Sequence, residues 1–155
     1  MRLARAIPDG HEQRQRAGGN DGYSIGVHQT IVYFLSSHPT NDIPRAKQFY
    51  DAISEIIGAQ RIIETDSVAV YKGPDGNPFI IGKPYAGDPT PGNGTQVVFA
   101  APTRASVDAA HAKALELGCK SEGEPGPRGP AEMNMYACYI RDFDGNKIMV
   151  CRTGD

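Results

Sequence analysis

The apolar positions of this chain follow a strand pattern and then a helix pattern. Residues 29–37 are rich in β-branched and aromatic side chains, which predicts a strand. From Ala46 onward apolar side chains recur every three or four residues, which predicts an amphipathic helix. Asp42 or Asn41 is expected to cap its start and Gly58 to end it. Three short strands should follow, over 60–64, 67–72 and 78–82.

The same order of elements returns in the second half of the chain. A strand is predicted over 96–101, followed by a helix that Thr103 caps and Gly118 ends. After this helix we expect only a short strand over 119–121, because the next stretch contains three prolines and is predicted to be a loop. The last two strands are expected over 135–141 and 147–152.

The repeat can be followed position by position. Asp75-Gly76-Asn77 recurs as Asp144-Gly145-Asn146, and the cap of the first helix, Asp42, is matched by Thr103. The two turns lie further apart along the chain than the two helix caps do, because the loop after the helix is longer in the second module. Neither half could bury an apolar sheet face alone, so the pattern predicts a paired structure. We therefore expect an α+β fold of two βαβββ modules. They cover residues 29–83 and 96–152, with a glycine- and proline-rich linker over 84–95.

Residues 1–28 differ from the rest of the chain. They contain four arginines among glycine and polar residues, and no apolar run that would mark a secretory signal. We interpret residues 1–28 as a flexible N-terminal extension and residues 29–155 as the folded domain.

Charge and cysteine content restrict the partners. The net charge is −2 and no apolar run is long enough to span a bilayer, so neither nucleic acid nor a membrane is an expected partner. Three cysteines without CxxC spacing do not suggest a disulfide framework or a zinc site. Reduced thiols and a cytoplasmic location are the expectation.

Four segments in order along the chain resemble one known family. Residues 40–51, 91–99, 125–128 and 141–148 are similar to the corresponding parts of the glyoxalase/bleomycin resistance protein/dioxygenase (vicinal oxygen chelate) superfamily. The resemblance implies that the two modules form an open curved sheet, or cup, with the helices outside. It also implies a divalent metal in the cup that acts as a Lewis acid, and a homodimer with pockets between the subunits.

The metal positions that this resemblance implies carry Leu35, Ile80, Gln96 and Met149. Leucine and isoleucine cannot coordinate a metal, and a thioether is too soft for Mg, Mn or Zn in such a site. A single glutamine cannot hold a hard divalent cation. We therefore expect no metal and no other cofactor.

Strand alternation predicts which side chains face the cup. His38 lies three residues after Leu35 and should point to the opposite face, and His111 is expected to be a hydrogen-bonded core histidine. The cup should be mostly apolar, as small-ligand pockets usually are. The candidate ligand-binding residues are Tyr33, Leu35, Ile80, Gln96, Val98, Tyr136, Cys138 and Met149.

Three functions fit these patterns. The favoured one is a protein that has lost the usual metal site and binds a small, partly apolar molecule in its cup, as a homodimer. The first alternative is a metal-dependent lyase, isomerase or dioxygenase whose ligands are displaced from the expected positions. The second is a non-catalytic structural or regulatory module. The sequence leaves open whether any reaction is catalysed.

Overall fold

The structure is a computed structural model and describes residues 35–154. The predicted extension over 1–28 and the candidate residue Tyr33 lie outside the described residues. The first module contains one helix and four strands, namely β1 (Ser36–Pro39), α1 (Ile43–Ile57), β2 (Gln60–Glu64), β3 (Val68–Lys72) and β4 (Pro78–Gly82). The second module contains β5 (Val97–Ala100), α2 (Arg104–Glu116), β6 (Lys120–Arg128), β7 (Met135–Arg141) and β8 (Lys147–Thr153).

Each module forms its own four-stranded mixed sheet. The strand order is β1-β4-β3-β2 in the first sheet and β5-β8-β7-β6 in the second. In both sheets the first strand runs parallel to the last and the other pairs are antiparallel. The predicted fold of two βαβββ modules is confirmed.

The strand registers reproduce the repeat that the sequence shows. We call two residues equivalent when they occupy the same place in the two modules. In the first strand and the helix, the pair Asp42 and Thr103 sets this correspondence. In the turn and the last strand, the pair Asp75 and Asp144 sets it. Ser36 pairs with Phe79, and the equivalent residues Val97 and Ile148 pair in the second sheet. The turns repeat as well, because the amide of the glycine in each turn donates to the carbonyl three residues before it.

The apolar positions of α1 form a single stripe that packs on the sheet, and α2 buries one face through Val107, Ala110, His111 and Ala114. Asp42 caps α1 by accepting a hydrogen bond from the Arg45 amide, and Thr103 caps α2 in the same way through Ser106. Gly58 follows α1 in the left-handed conformation, with φ of 78°, as the predicted glycine stop requires. The shared core contains Phe49, Ile53, Ile81, Val107, Ile140, Ile148 and Val150.

One predicted loop is a strand. β6 extends through Arg128 although it contains Pro125 and Pro127. It lies at the edge of its sheet, where a residue without an amide proton is tolerated. Its register against β7 shifts twice, between Ser121 and Gly126, and Pro125 lies within the second of these irregularities.

Among the described residues, neither helix is long and apolar enough to cross a membrane.

Candidate functional site

The face of each sheet that is turned away from the helices is where the resemblance places the cup, and we call it the cup face. In the second module, Met149 pairs with Tyr139 and Cys151 pairs with Ala137, so these four side chains share that face. Ala137, Met149 and Cys151 form a small buried cluster that is separate from the main core, and Met135 and Tyr139 pack against it. The cup face of the second sheet is therefore apolar and sulfur-rich at this buried cluster.

The strand β5 extends this surface. Val98 lies beside Met149 in the parallel pair and is 51% exposed. Gln96 lies one residue before β5, and its Nε2 atom is 3.9 Å from the Met149 Sδ atom. Gln96 provides a polar group beside this surface.

The first module places fewer side chains on the cup face. Ile80 pairs with Ser37, and the alternating residues Phe79 and Ile81 point into the core, so Ile80 lies on the cup face. Leu35 precedes β1 and is 62% exposed. The structure thus places Ile80, Val98 and Met149 on the cup face, with Gln96 in contact with Met149 and Leu35 at the exposed start of β1.

Contrary to the prediction, Tyr136 and Cys138 lie on the helix side of the second sheet. The Tyr136 hydroxyl donates to Asp108 of α2 at 2.9 Å, and the Cys138 thiol lies 3.8 Å from the Val107 carbonyl of the same helix. The side chains of β7 that do face the cup are those at odd positions, such as Ala137 and Tyr139. The sequence contained the signal, because counting outward from the turn over 142–146 places Tyr139 opposite Met149.

The donor set on the cup face does not fit the metal that the family resemblance implies. Within residues 35–154, no group of three or more His, Cys, Asp or Glu side chains is placed to hold a metal ion. The groups nearest to the implied positions are the amide of Gln96 and the thioether of Met149. A hard divalent cation prefers several oxygen or imidazole ligands, which this pair does not supply.

Cations flank the aromatic ring on the cup face. The Lys147 Nζ atom lies 5.1 Å and the Arg128 guanidinium carbon 5.6 Å from the centre of the Tyr139 ring. Arg128 also donates to the carbonyls of Pro127 and Glu124, and Lys147 pairs with Glu122. These contacts hold the edge of the sheet together, and both cations are attracted by the Tyr139 ring.

The cysteines are protonated at neutral pH. Burial raises the pKa of the Cys138 thiol to about 11 and also raises the pKa of Cys151. A nucleophilic role needs a thiolate, which a raised pKa disfavours. Cys151 therefore contributes to the cup face as a small apolar group.

A buried polar network joins the two modules, and no local sequence pattern indicates it. Tyr50 of α1 donates its hydroxyl proton to Asp142 at 2.6 Å, and the His38 Nδ1 atom lies 2.8 Å from the Tyr50 hydroxyl oxygen. Because a hydroxyl has only one proton, His38 must be the donor in its contact, which fixes the proton on Nδ1. Asn146 completes the network by donating to Asp142 and to the Pro39 carbonyl.

We call the set of His38, Tyr50, Asp142 and Asn146 the closed corner. All four are less than a tenth exposed. Burial lowers the pKa of His38 to about 4 against the attraction of Asp142, and burial with the Asp142 charge raises the pKa of Tyr50 well above its ordinary value. The network is therefore built around a neutral histidine. His111, at the position equivalent to Tyr50, bonds Ser121 at 2.8 Å, which confirms it as a hydrogen-bonded core residue.

Comparison with known proteins supports this reading of the fold. The model of the Glyoxalase/Bleomycin resistance protein/Dioxygenase superfamily matches residues 30–150. A glyoxalase/bleomycin resistance protein from Albidiferax ferrireducens T118 is 32% identical, with a TM-score of 0.67 over 76% of this chain and 95% of that chain. No curated protein matches the sequence.

Two more distant structures share the fold alone. A glyoxalase/bleomycin resistance protein/dioxygenase family enzyme from Burkholderia phytofirmans PsJN is 16% identical, with a TM-score of 0.60 over 77% of this chain and 97% of that chain. A lactoylglutathione lyase from Agrobacterium tumefaciens is 20% identical, with a TM-score of 0.55 over 78% of this chain and 92% of that chain.

Proposed function

Because the chain belongs to the glyoxalase/bleomycin resistance protein/dioxygenase superfamily, we propose that it binds a small, partly apolar molecule on its cup face. It does so without the divalent metal that the family resemblance implies. The observation that carries this proposal is the character of the cup face, where Ile80, Val98 and Met149 are apolar and the amide of Gln96 contacts Met149. Such a surface binds apolar groups and offers one hydrogen-bonding partner.

A second copy of the chain completes the site in this proposal. The two sheets of one chain are separate, and Leu35 and Val98 leave 62% and 51% of their areas exposed. Covering such apolar area by a partner is favourable at about 25 cal/mol for each Å² buried. Sedimentation equilibrium should therefore give twice the chain mass of 16.7 kDa. A monomer at every concentration would remove the partner from the proposal and leave the ligand test intact.

Ligand-dependent thermal unfolding tests the binding function. The purified full chain is screened against aromatic antibiotics and aromatic metabolites, and at least one compound should raise the unfolding temperature in proportion to the logarithm of its concentration. At about one hundred times its dissociation constant, the compound stabilises the fold by about 2.7 kcal/mol, a shift of about 5 °C or more.

Two matched variants locate the ligand. Leu35→Asp places a charge at the start of β1 and should abolish the shift. Leu115→Asp makes the same change at another exposed leucine, on α2, and should preserve it. A library that gives no shift with the unmodified chain would contradict the proposal.

Metal content is measured on the same protein. Elemental mass spectrometry after growth in supplemented medium should find no stoichiometric Zn, Ni, Mn or Fe, and Gln96→Ala serves as the control. A stoichiometric metal that is lost in Gln96→Ala would overturn the metal-free part of the proposal and favour a metal-dependent enzyme.

A further inference from the structure

A cavity of about 340 Å³ lies on the helix side of the first sheet, opposite to the cup face. It is bounded by the end of α1 at Ser54 and Ile57, by the turn over 73–77, and by β5. Tyr71 and Phe79, which point toward the helices, form part of its wall. The volume falls in the range of about 300–1,000 Å³ that small-molecule pockets occupy.

The repeat explains why this cavity exists. The cavity lies where the end of β5 approaches the turn before β4, which is equivalent to the place where the end of β1 meets the turn before β8. Gly73 stands at the position equivalent to Asp142, and Phe99 at the position equivalent to His38. Asn77, equivalent to Asn146, bonds Asp75. We call the set of Phe99, Gly73, Asp75 and Asn77 the open corner.

The side chains that line the cavity favour an aromatic ligand. The rings of Phe79 and Phe99 meet edge to face with their centres 5.0 Å apart, and both line the cavity with Tyr71. Aromatic rings that meet in such geometry attract one another beyond the effect of the area they bury. An apolar cavity of about 150 Å³ holds benzene, so the present volume has room for a two-ring system.

The charge of the walls selects among aromatic compounds. Asp75 is the single charged residue among the described residues that line the cavity, and no Lys, Arg, His or Glu joins it there. Its carboxylate accepts from the amide and the side chain of Asn77, and a carboxylate has lone pairs for further donors. The Asp75 carboxylate therefore attracts a cationic ligand. It repels an anionic ligand, which finds no basic side chain among the described residues of the wall.

We propose that the open corner is a second binding site that takes a small aromatic amine of one or two rings. Its ring lies against Phe79 and Phe99, and its ammonium group is oriented toward Asp75. Of the cup-face residues named above, only Val98 also borders this cavity, so the two sites can be separated by mutation.

Three indole compounds of matched shape test the proposal. Tryptamine carries an amine, 3-methylindole is neutral and indole-3-acetate is an acid. Since the chain contains no Trp, the fluorescence of each indole reports its own binding. Tryptamine should bind about tenfold more tightly than indole-3-acetate, with 3-methylindole between them, because Asp75 attracts an ammonium group and repels a carboxylate.

Variants assign the site. Ser54→Leu gives α1 the residue that α2 carries at the equivalent position, Leu115, and should weaken tryptamine binding at least tenfold by filling the cavity. Asp75→Asn, at an exposed turn, should bring tryptamine and 3-methylindole to within about twofold of each other and leave 3-methylindole unchanged. The second variant keeps the proposal testable if the first does not fold.

A change at the cup face provides the control. Leu35→Ser should leave tryptamine binding unchanged. If Leu35→Ser removes tryptamine binding and Ser54→Leu retains it, the amine belongs to the cup face and the proposal is wrong. Binding of none of the three indoles at millimolar concentration would overturn it as well.

Discussion

The closed corner and the open corner are built on the same backbone and are filled in opposite ways. At the closed corner, the end of β1 meets the turn before β8 through His38, Tyr50, Asp142 and Asn146. At the open corner, the end of β5 lies beside the turn before β4 with a cavity of about 340 Å³. The main-chain hydrogen bonds are the same, since Thr40 bonds the Gly82 carbonyl as Ala101 bonds the Cys151 carbonyl.

The difference shows that a duplicated backbone does not require duplicated side-chain interactions. A buried carboxylate such as Asp142 is tolerated only when donors surround it, so the closed corner has to keep its whole network. The open corner has no buried charge, and its residues can change without leaving a polar group unpaired. The closed corner therefore carries stability, and the open corner is available for a ligand.

The largest effect on the free energy of unfolding is expected when Asp142 is replaced. Asp142→Ala removes the acceptor of the Tyr50 hydroxyl, the Asn146 side chain and the amides of Asp144 and Asn146. Several buried donors then lack a partner, so the free energy of unfolding should fall by about 3–5 kcal/mol. Urea unfolding followed by circular dichroism measures the loss.

Asp75→Ala is the matched control in the other turn. Asp75 is exposed and, among residues 35–154, accepts hydrogen bonds from Asn77 alone, so its loss should cost less than about 1 kcal/mol. Equal losses for the two variants would contradict the distinction between the corners.

The next effect is a dependence on pH. His38 has a pKa of about 4 in the folded chain and about 6.5 when unfolded. Between these values the unfolded chain binds one more proton, so stability is complete above pH 6.5 and falls as the pH drops toward 4. The shift corresponds to a loss of about 3 kcal/mol across this window.

His38→Phe tests the origin of this dependence, because phenylalanine is the residue at the equivalent position 99. Urea unfolding of both proteins at several pH values should show a smaller slope between pH 4 and 6.5 in the variant. An unchanged slope would assign the effect to other groups.

Local patterns were sufficient to predict most of the fold. The helix boundaries followed from the caps and glycine stops at Asp42, Gly58 and Thr103, each of which acts on its own turn. The repeat predicted that the two modules share one order of elements. The extent of β6 could not be predicted, since whether a proline-containing segment pairs depends on its lying at a sheet edge.

The candidate site was predicted less completely. The faces of Ile80, Val98 and Met149 follow from alternation within a strand, and alternation is a local property. The closed corner escaped prediction because its members come from distant parts of the chain, with Tyr50 and Asp142 lying 92 residues apart. Only the approach of one module to the other brings these residues together.

A smaller effect is expected at the two equivalent asparagines. Asn146→Ala removes buried hydrogen bonds to the Pro39 carbonyl and to Asp142, which should cost about 2 kcal/mol. Asn77→Ala removes one exposed contact with Asp75 and should cost less than about 0.5 kcal/mol. Chemical denaturation of the two variants gives the difference between their free energies of unfolding. Equal losses at Asn77 and Asn146 would show that the asparagine of the turn stabilises the open corner as much as the closed corner.

The smallest effect is expected at Gly73, where the closed corner has Asp142. A Cβ atom added at Gly73 would lie 2.9 Å from the Asp75 Oδ1 atom, which is the end of a side chain on an exposed turn and can move. The backbone there does not need a positive φ, in contrast to Gly76 in the same turn, whose φ is +84°. Gly73→Ala should therefore leave the free energy of unfolding nearly unchanged, within about 0.3 kcal/mol, since the strain and the reduced entropy of the unfolded chain offset each other. Gly76→Ala should cost more than Gly73→Ala, because alanine is strained at positive φ. If urea unfolding reverses this order, contacts at Gly73 fix the turn at the open corner. The conclusion that residues of the open corner can be substituted without loss of stability would then be wrong.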